Sequence, residues 1–189
     1  MAHQAQQAFF SKVKEKLPYF FTNKKILDVG SLDLNGNNLS LFTNCDYIGI
    51  DIGEGRNVTL VCIAHEYDAP DGYYDTIICG EVFEHDMHYE KTITNIIRML
   101  RPGGLFLFSC ASIGRPEHGT RRTSISDAPF LDKQGEWGDY YKNLTKGDIE
   151  KIKGFIEAFP DGVFEFNPTA CDLYFFGIKG GDKELKYIV

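Results

Sequence analysis

The sequence predicts an α/β protein: a doubly wound, mostly parallel sheet of seven strands with helices on both faces. Three observations carry this. Lys25-Ile26-Leu27-Asp28-Val29 is a short apolar run holding one carboxylate and halting at Gly30, the pattern of a buried parallel strand that opens into a turn. Tyr47-Ile48-Gly49-Ile50-Asp51 is a second such run, and it ends in an acid. Further apolar runs then alternate with helical patterns, the order that winds a parallel sheet.

Residues 2–17 place Ala5, Ala8, Phe9, Val13 and Leu17 at helical spacing before Pro18, predicting an N-terminal helix, which would pack on the sheet edge. After the first strand, residues 36–42 are expected to form a helix, and 58–62, a β-branched run, the third strand. Pro70-Asp71-Gly72 is a turn leading into a strand over 73–79. Residues 89–100 carry Ile93, Ile96, Ile97 and Leu100 on one helical face, Arg101-Pro102-Gly103-Gly104 ends that helix, and 105–110 is the next strand. From 111 to 144 the regular pattern fails over a long polar stretch holding the single tryptophan, which reads as a lid or binding loop. Thr145 is placed to cap a helix running to about 158, followed by strands at 163–166 and 172–178 and a tail from 180. One domain results, divided into an N-terminal helix (1–22), a binding core (23–110), a specificity loop (111–145) and a C-terminal helix with strands (146–189).

In open α/β sheets ligands bind beyond the carboxyl ends of the central strands, so the turn after Val29 and the acid at Asp51 describe a nucleoside site, the acid gripping ribose hydroxyls. A dinucleotide would need G-x-G-x-x-G to rest its pyrophosphate on bare backbone. Here the turn reads Gly30-Ser31-Leu32-Asp33-Leu34-Asn35-Gly36: the second glycine is missing and a carboxylate is present, which repels phosphate and attracts an ammonium or sulfonium. With LDVGSLDLNG at 27–36, EVFEH at 81–85 and MLRPGG at 99–104, the chain resembles the class I S-adenosylmethionine-dependent methyltransferases, more narrowly the type 11 methyltransferase domains, over about 24–109. The resemblance implies a Rossmann-like sheet whose last strand is antiparallel, S-adenosylmethionine as donor and S-adenosylhomocysteine as product, and it offers for the N-terminal helix the alternative of covering the crevice.

It also implies roles for residues. Gly30, Ser31 and Asp33 would line the methionine end, Asp51 and Ile52 the ribose and adenine edge, Ala64 and His65 the adenine, and Glu81 the methionine moiety or the acceptor. The chain departs from the family in having Ile63 where an acid is usual. Methyl transfer from a sulfonium is mainly a matter of holding donor and acceptor in line and excluding water, with a general base helping a hydroxyl or amine lose its proton. His85, His118 and Glu81 are the catalytic candidates, and Arg115, His118, Tyr140 and Tyr141 the acceptor-binding ones. Arg115, Arg121 and Arg122 offer guanidinium forks for an anionic group or a solvated surface. The cluster His85, Asp86, His88 and Glu90 matches no metal-ligand spacing, so no metal is expected.

The totals agree with a small-molecule enzyme. Of 189 residues, 43% are hydrophobic and 25% charged, and the net charge of −7 argues against a nucleic-acid partner. No apolar run spans a bilayer and the first residues are too polar for a signal peptide, which points to the cytoplasm. Five cysteines without a C-x-x-C pair read as reduced core residues. Two other readings stay open: a methyltransferase-like binding module without transfer activity, and an NAD-type oxidoreductase. Acceptor and oligomeric state are not legible.

Overall fold

In a computed structural model, which describes residues 4–182, the sheet has seven strands in the order β3-β2-β1-β4-β5-β7-β6. These are β1 (Lys25–Val29), β2 (Asp46–Asp51), β3 (Leu60–Val61), β4 (Tyr74–Gly80), β5 (Leu100–Ala111), β6 (Val163–Asn167) and β7 (Asp172–Ile178). Pairings from β3 through β5 are parallel, and β7 runs antiparallel to both β5 and β6, as expected for the last strand. The order reverses at β1 and β4. Their carboxyl ends therefore diverge, and the crevice lies between them.

Two cores flank the sheet, because successive side chains in a strand point to opposite faces. On one face Phe106, Phe108, Leu173 and Phe175 meet α2 (Tyr89–Met99) and the short helices α3 (Lys146–Glu150) and α4 (Phe155–Ala158). On the other, Leu105, Leu107, Tyr174 and Phe176 meet α1 (Gln4–Lys16). Phe175 is the hub of the first core: its ring lies within 6 Å of those of Phe106, Phe108, Phe155, Phe159 and Phe164. Gly162 and Gly177 leave room for it, since a Cβ on either would sit 2.6 and 2.8 Å from that ring.

Several elements differ from expectation for local reasons. Residues 36–42 form no α-helix; only Leu39–Leu41 makes a 3-10 turn. Asp33 accepts from the Gly36 amide at 3.0 Å and from Asn37 Nδ2 at 2.9 Å, and Asn38 gives its amide to Asp28, so side chains take the bonds a helix would need. The third strand shortens to two residues on the exposed sheet edge, and β5 begins at Leu100 with a register shift, so the Arg-Pro-Gly-Gly segment enters the strand instead of merely ending a helix. The C-terminal helix splits around Gly154, whose φ of 85° is left-handed, although Thr145 and Asp148 do form the capping box. In α1 the buried residues are Gln6, Phe9, Phe10 and Val13, not the alanines; Phe9 stacks on Tyr174 at 4.5 Å, so aromatic area decides which face turns inward. The helix packs on a sheet face and its first turn reaches the crevice through Gln6. Among the described residues no helix is long and apolar enough to cross a membrane. The expected tail from 180 falls largely on 183–189, outside the described residues.

Phe175→Ala should lower the unfolding free energy by about 3–5 kcal/mol, the cost of an aromatic-sized cavity in a site closed by strands, measured by urea denaturation.

Candidate active site

The turn after β1 is built by backbone geometry. Gly30 has φ 76°, and a Cβ there would lie 2.1 Å from Val82 Cγ2, so both conformation and space demand glycine. The amides of Gly30 and Ser31 both donate to the Ile50 carbonyl, at 2.9 and 3.1 Å, which joins the ends of β1 and β2. Asp51, at the tip of β2, accepts from the Leu32 amide at 3.1 Å and from its neighbour Ile52 at 2.8 Å. Burial pushes its carboxyl above the usual range and these amides pull it back. With the amides of Leu32, Ile52 and Gly53 against it, the carboxylate keeps acceptor capacity for a ligand hydroxyl.

Behind the turn, Asp28 is fully buried in β1. Asn38 Nδ2 donates to both its oxygens at 3.1 and 3.2 Å, and the Tyr47 hydroxyl donates at 2.6 Å. Burial wins over these bonds and lifts the carboxyl to about 7. At the tip of β4, Glu81 is buried at φ 55°, a left-handed conformation uncommon for a residue with a side chain, of the kind that gathers at binding sites. Its carboxylate has Arg115 Nη2 at 4.0 Å.

These elements wall a crevice of about 970 Å³, mouth included. Gly30, Ser31, Asp51, Ile52, Ala64, Glu81 and His85 line it, all anticipated from the sequence. Gln6, Asp28, Asn38 and Asp86 line it too, and so do Leu131 and Trp137 from the long loop. Among the lining residues five carry carboxyl groups and none is lysine or arginine. The loop docks by Phe130, whose ring occupies the space a Cβ of Gly53 would take, at 2.1 Å.

Other expected site residues lie elsewhere. Asp33 does not line the crevice: it closes its own loop and pairs with Arg56 at 2.9 Å. His65 is not in the lining; its ring lies 4.8 Å from that of His88 and 6.2 Å from that of the lining residue Trp137. Arg115 is bound to Asp172 at 3.0 Å and to the Ala170 carbonyl at 2.7 Å. Arg121 and Arg122 are spent within the loop, on Asp139, Glu117 and backbone carbonyls, and none of the three arginines lines the crevice. Tyr140 lies outside the lining, and Tyr141 donates to the Pro116 carbonyl at 3.2 Å with its ring against His85 and His118. His118 sits one layer behind, its ring 4.9 Å from that of His85 and nearly perpendicular. Burial holds both imidazoles below the ordinary value, His85 well below.

Of the lining residues missed by sequence reasoning, Asp28 had a signal, a charge inside an apolar strand. Gln6 had none, since it falls on the polar side of the helical pattern. Asp86 was visible as an acid before a helix, where it now accepts from the His88 amide at 2.7 Å and from Thr92.

A family model described as a methyltransferase domain matches residues 1–145. Among solved structures the chain is similar to a phosphoethanolamine N-methyltransferase of Haemonchus contortus, at 17% identity and TM-score 0.62, covering 92% of this chain and 52% of that one. It is similar to a 1,6-didemethyltoxoflavin N1-methyltransferase of Burkholderia thailandensis at 15% identity, TM-score 0.61, covering 92% and 79%. A methyltransferase of Archaeoglobus fulgidus matches at 16% identity and TM-score 0.61, covering 92% and 94%. The chain thus spans about half the length of the nematode enzyme chain.

Two outcomes follow from this geometry. Folded Asp28 keeps its proton to about pH 7, whereas an unfolded aspartate releases it near 3.8, so the native state binds more protons between those values. Native stability should therefore fall as pH rises from about 4 to 7, by an amount on the order of a few kcal/mol, and Asp28→Asn should flatten that slope in urea titrations at pH 5 and 8. Gly53→Ala should displace Phe130 and expose 125–139 to limited proteolysis several-fold faster, with little change in the midpoint of global unfolding.

Proposed function

That the chain belongs to the methyltransferase-domain family is the premise from which we propose its chemistry: S-adenosylmethionine-dependent transfer of a methyl group to an oxygen or nitrogen of a small, sugar-type or similar polar acceptor. The observation that carries this is the charge of the crevice. Five carboxyl-bearing residues line it against no lysine or arginine, Arg115 approaching only Glu81 from outside the lining at 4.0 Å, and this balance suits a donor that is cationic at sulfur and amine and bears no phosphate. The same lining disfavours the pyrophosphate of a nicotinamide dinucleotide and an acceptor recognised through a phosphate. The groups present fit: Gly30 offers bare backbone, and the Asp51 carboxylate offers acceptor capacity to vicinal hydroxyls.

When bound, S-adenosylmethionine supplies an electrophilic methyl group. The chain's part is to place and to shield. Asp51 and Ile52 hold the ribose and adenine edge, Ala64 flanks the base, and Gly30 with Ser31 bounds the methionine end; the role expected for Asp33 passes to Glu81, which lines the crevice where Asp33 does not. The loop carrying Phe130, Leu131 and Trp137 keeps water from the reacting atoms. Acceptor binding falls to the corner of Glu81 and His85, with His118 and Tyr141 orienting the His85 ring. The similarity to a phosphoethanolamine N-methyltransferase and a 1,6-didemethyltoxoflavin N1-methyltransferase supports a small-molecule acceptor.

Asp51→Ala should weaken S-adenosylhomocysteine binding at least tenfold, about 1.4 kcal/mol, measured by calorimetry. Undiminished binding would overturn the pocket assignment. Release of S-adenosylhomocysteine with a panel of hydroxyl and amine compounds separates a transferase from a binding module, and tight NADH binding without affinity for S-adenosylhomocysteine would reverse the reading.

A further inference from the structure

Beside the crevice, at the turn between β4 and α2, three side chains of metal-ligating type converge. One ligand atom from each of Glu84, His85 and His118 lies within 4.8 Å of the other two, the single such group of three among the described residues. Glu84 is 0% exposed and His85 5%. Both ring nitrogens of His85 and Nε2 of His118 are buried without a hydrogen-bond partner, and the buried Glu84 carboxyl has only the backbone amides of Glu84 and Ala111 beside it. Buried polar groups in native proteins are almost always satisfied, so unpartnered imidazole nitrogens gathered beside a buried carboxyl call for an occupant. Their separations are too wide for hydrogen bonds among themselves. They suit an ion about 2.1 Å from each ligand after side-chain movement of about 1 Å.

The surroundings are arranged as a metal site requires. His118 Nδ1 lies 3.1 Å from the Pro116 carbonyl, so Nδ1 carries the proton and Nε2 turns its lone pair to the cluster, the outer contact by which ligating imidazoles are oriented. Tyr141 closes the side, its ring against both histidines and its hydroxyl on the same Pro116 carbonyl. Gly119 is glycine where a Cβ would lie 2.7 Å from His85 Cε1, which lets the loop bring His118 this close. His85 also lines the crevice, giving the position an entry path and an open face toward a ligand.

We propose that Glu84, His85 and His118 bind one divalent transition-metal ion of borderline softness, such as zinc or manganese, with open coordination positions toward the crevice. Two imidazoles and one carboxylate are the donor set such ions prefer, while magnesium and calcium prefer all-oxygen sites. The proposal departs from the expectation of no metal: His85 belongs to the cluster singled out in the sequence, but the proposed partners are Glu84 and the distant His118, not the neighbouring Asp86, His88 and Glu90. Resting on the proposed function, the ion holds an acceptor hydroxyl oxygen and lowers its pKa. The hydroxyl proton is released to bulk solvent as the acceptor enters, before the loop shields the site; the oxygen's electron pair then forms the new bond to the methyl carbon, and the carbon–sulfur bond breaks to leave a neutral thioether.

The test uses the whole chain, stripped with a chelator and then titrated with zinc or manganese by calorimetry and thermal unfolding, with magnesium as comparison. Binding of one zinc or manganese ion per chain is expected, with a rise of several degrees in the unfolding midpoint. His118→Ala, in the loop, and Glu84→Gln, which keeps its volume, should each weaken that binding at least tenfold. Failure of the wild-type chain to bind either ion, or equal binding in both variants, overturns the site. Calorimetry with S-adenosylhomocysteine separates the two ideas: a chain that binds the ion but not this ligand loses the proposed function and keeps the metal site, and the converse keeps the function alone.

Discussion

Everything near the crevice depends on how β1 ends. Gly30 turns the chain with a left-handed φ, and its amide and that of Ser31 share the Ile50 carbonyl, so the ends of β1 and β2 move as one piece. Asp51 then reaches across to the Leu32 amide and holds the loop off the sheet. A side chain on Gly30 would strike Val82, which belongs to the segment carrying Glu81, Glu84 and His85. One tight approach therefore sets the spacing between the nucleoside side of the crevice and its opposite wall.

The crevice is assembled from groups that oppose folding. Asp28, Glu81, Glu84 and Asp86 are buried carboxyls, and desolvation raises the protonation tendency of Asp28 and Glu84. Such groups destabilise a domain unless something binds them. The compensation lies away from the site, in the phenylalanine cluster around Phe175 and the second core beneath α1. The arrangement separates a region optimised for packing from one held ready for ligands, and strand ends are where the two meet.

The long loop shows how charge and location part company. Its arginines look like anion-binding groups in one dimension, yet Arg121 closes the loop on Asp139 and two carbonyls, and Arg115 is captured by Asp172. What the loop delivers to the crevice is apolar, Leu131 and Trp137, while Phe130 anchors it on Gly53. It also carries His118 to His85, residues distant in sequence but adjacent in space.

By itself the sequence determined the strand order's logic, the turn at Gly30, the acid at Asp51 and the family, because these are local patterns: an apolar run, a glycine where the backbone must bend, a carboxylate at a strand tip. Helices were legible where one apolar face repeats, as in residues 89–100, and illegible where side chains compete for backbone bonds, as at Asp33 and Asn38. Only the tertiary structure decided that Asp33 faces Arg56, that Gln6 reaches the crevice, and that Glu84, His85 and His118 converge. The physical reason is that direction and burial of a side chain are set by what packs against it, and in this chain those neighbours come from distant segments that no local spacing records.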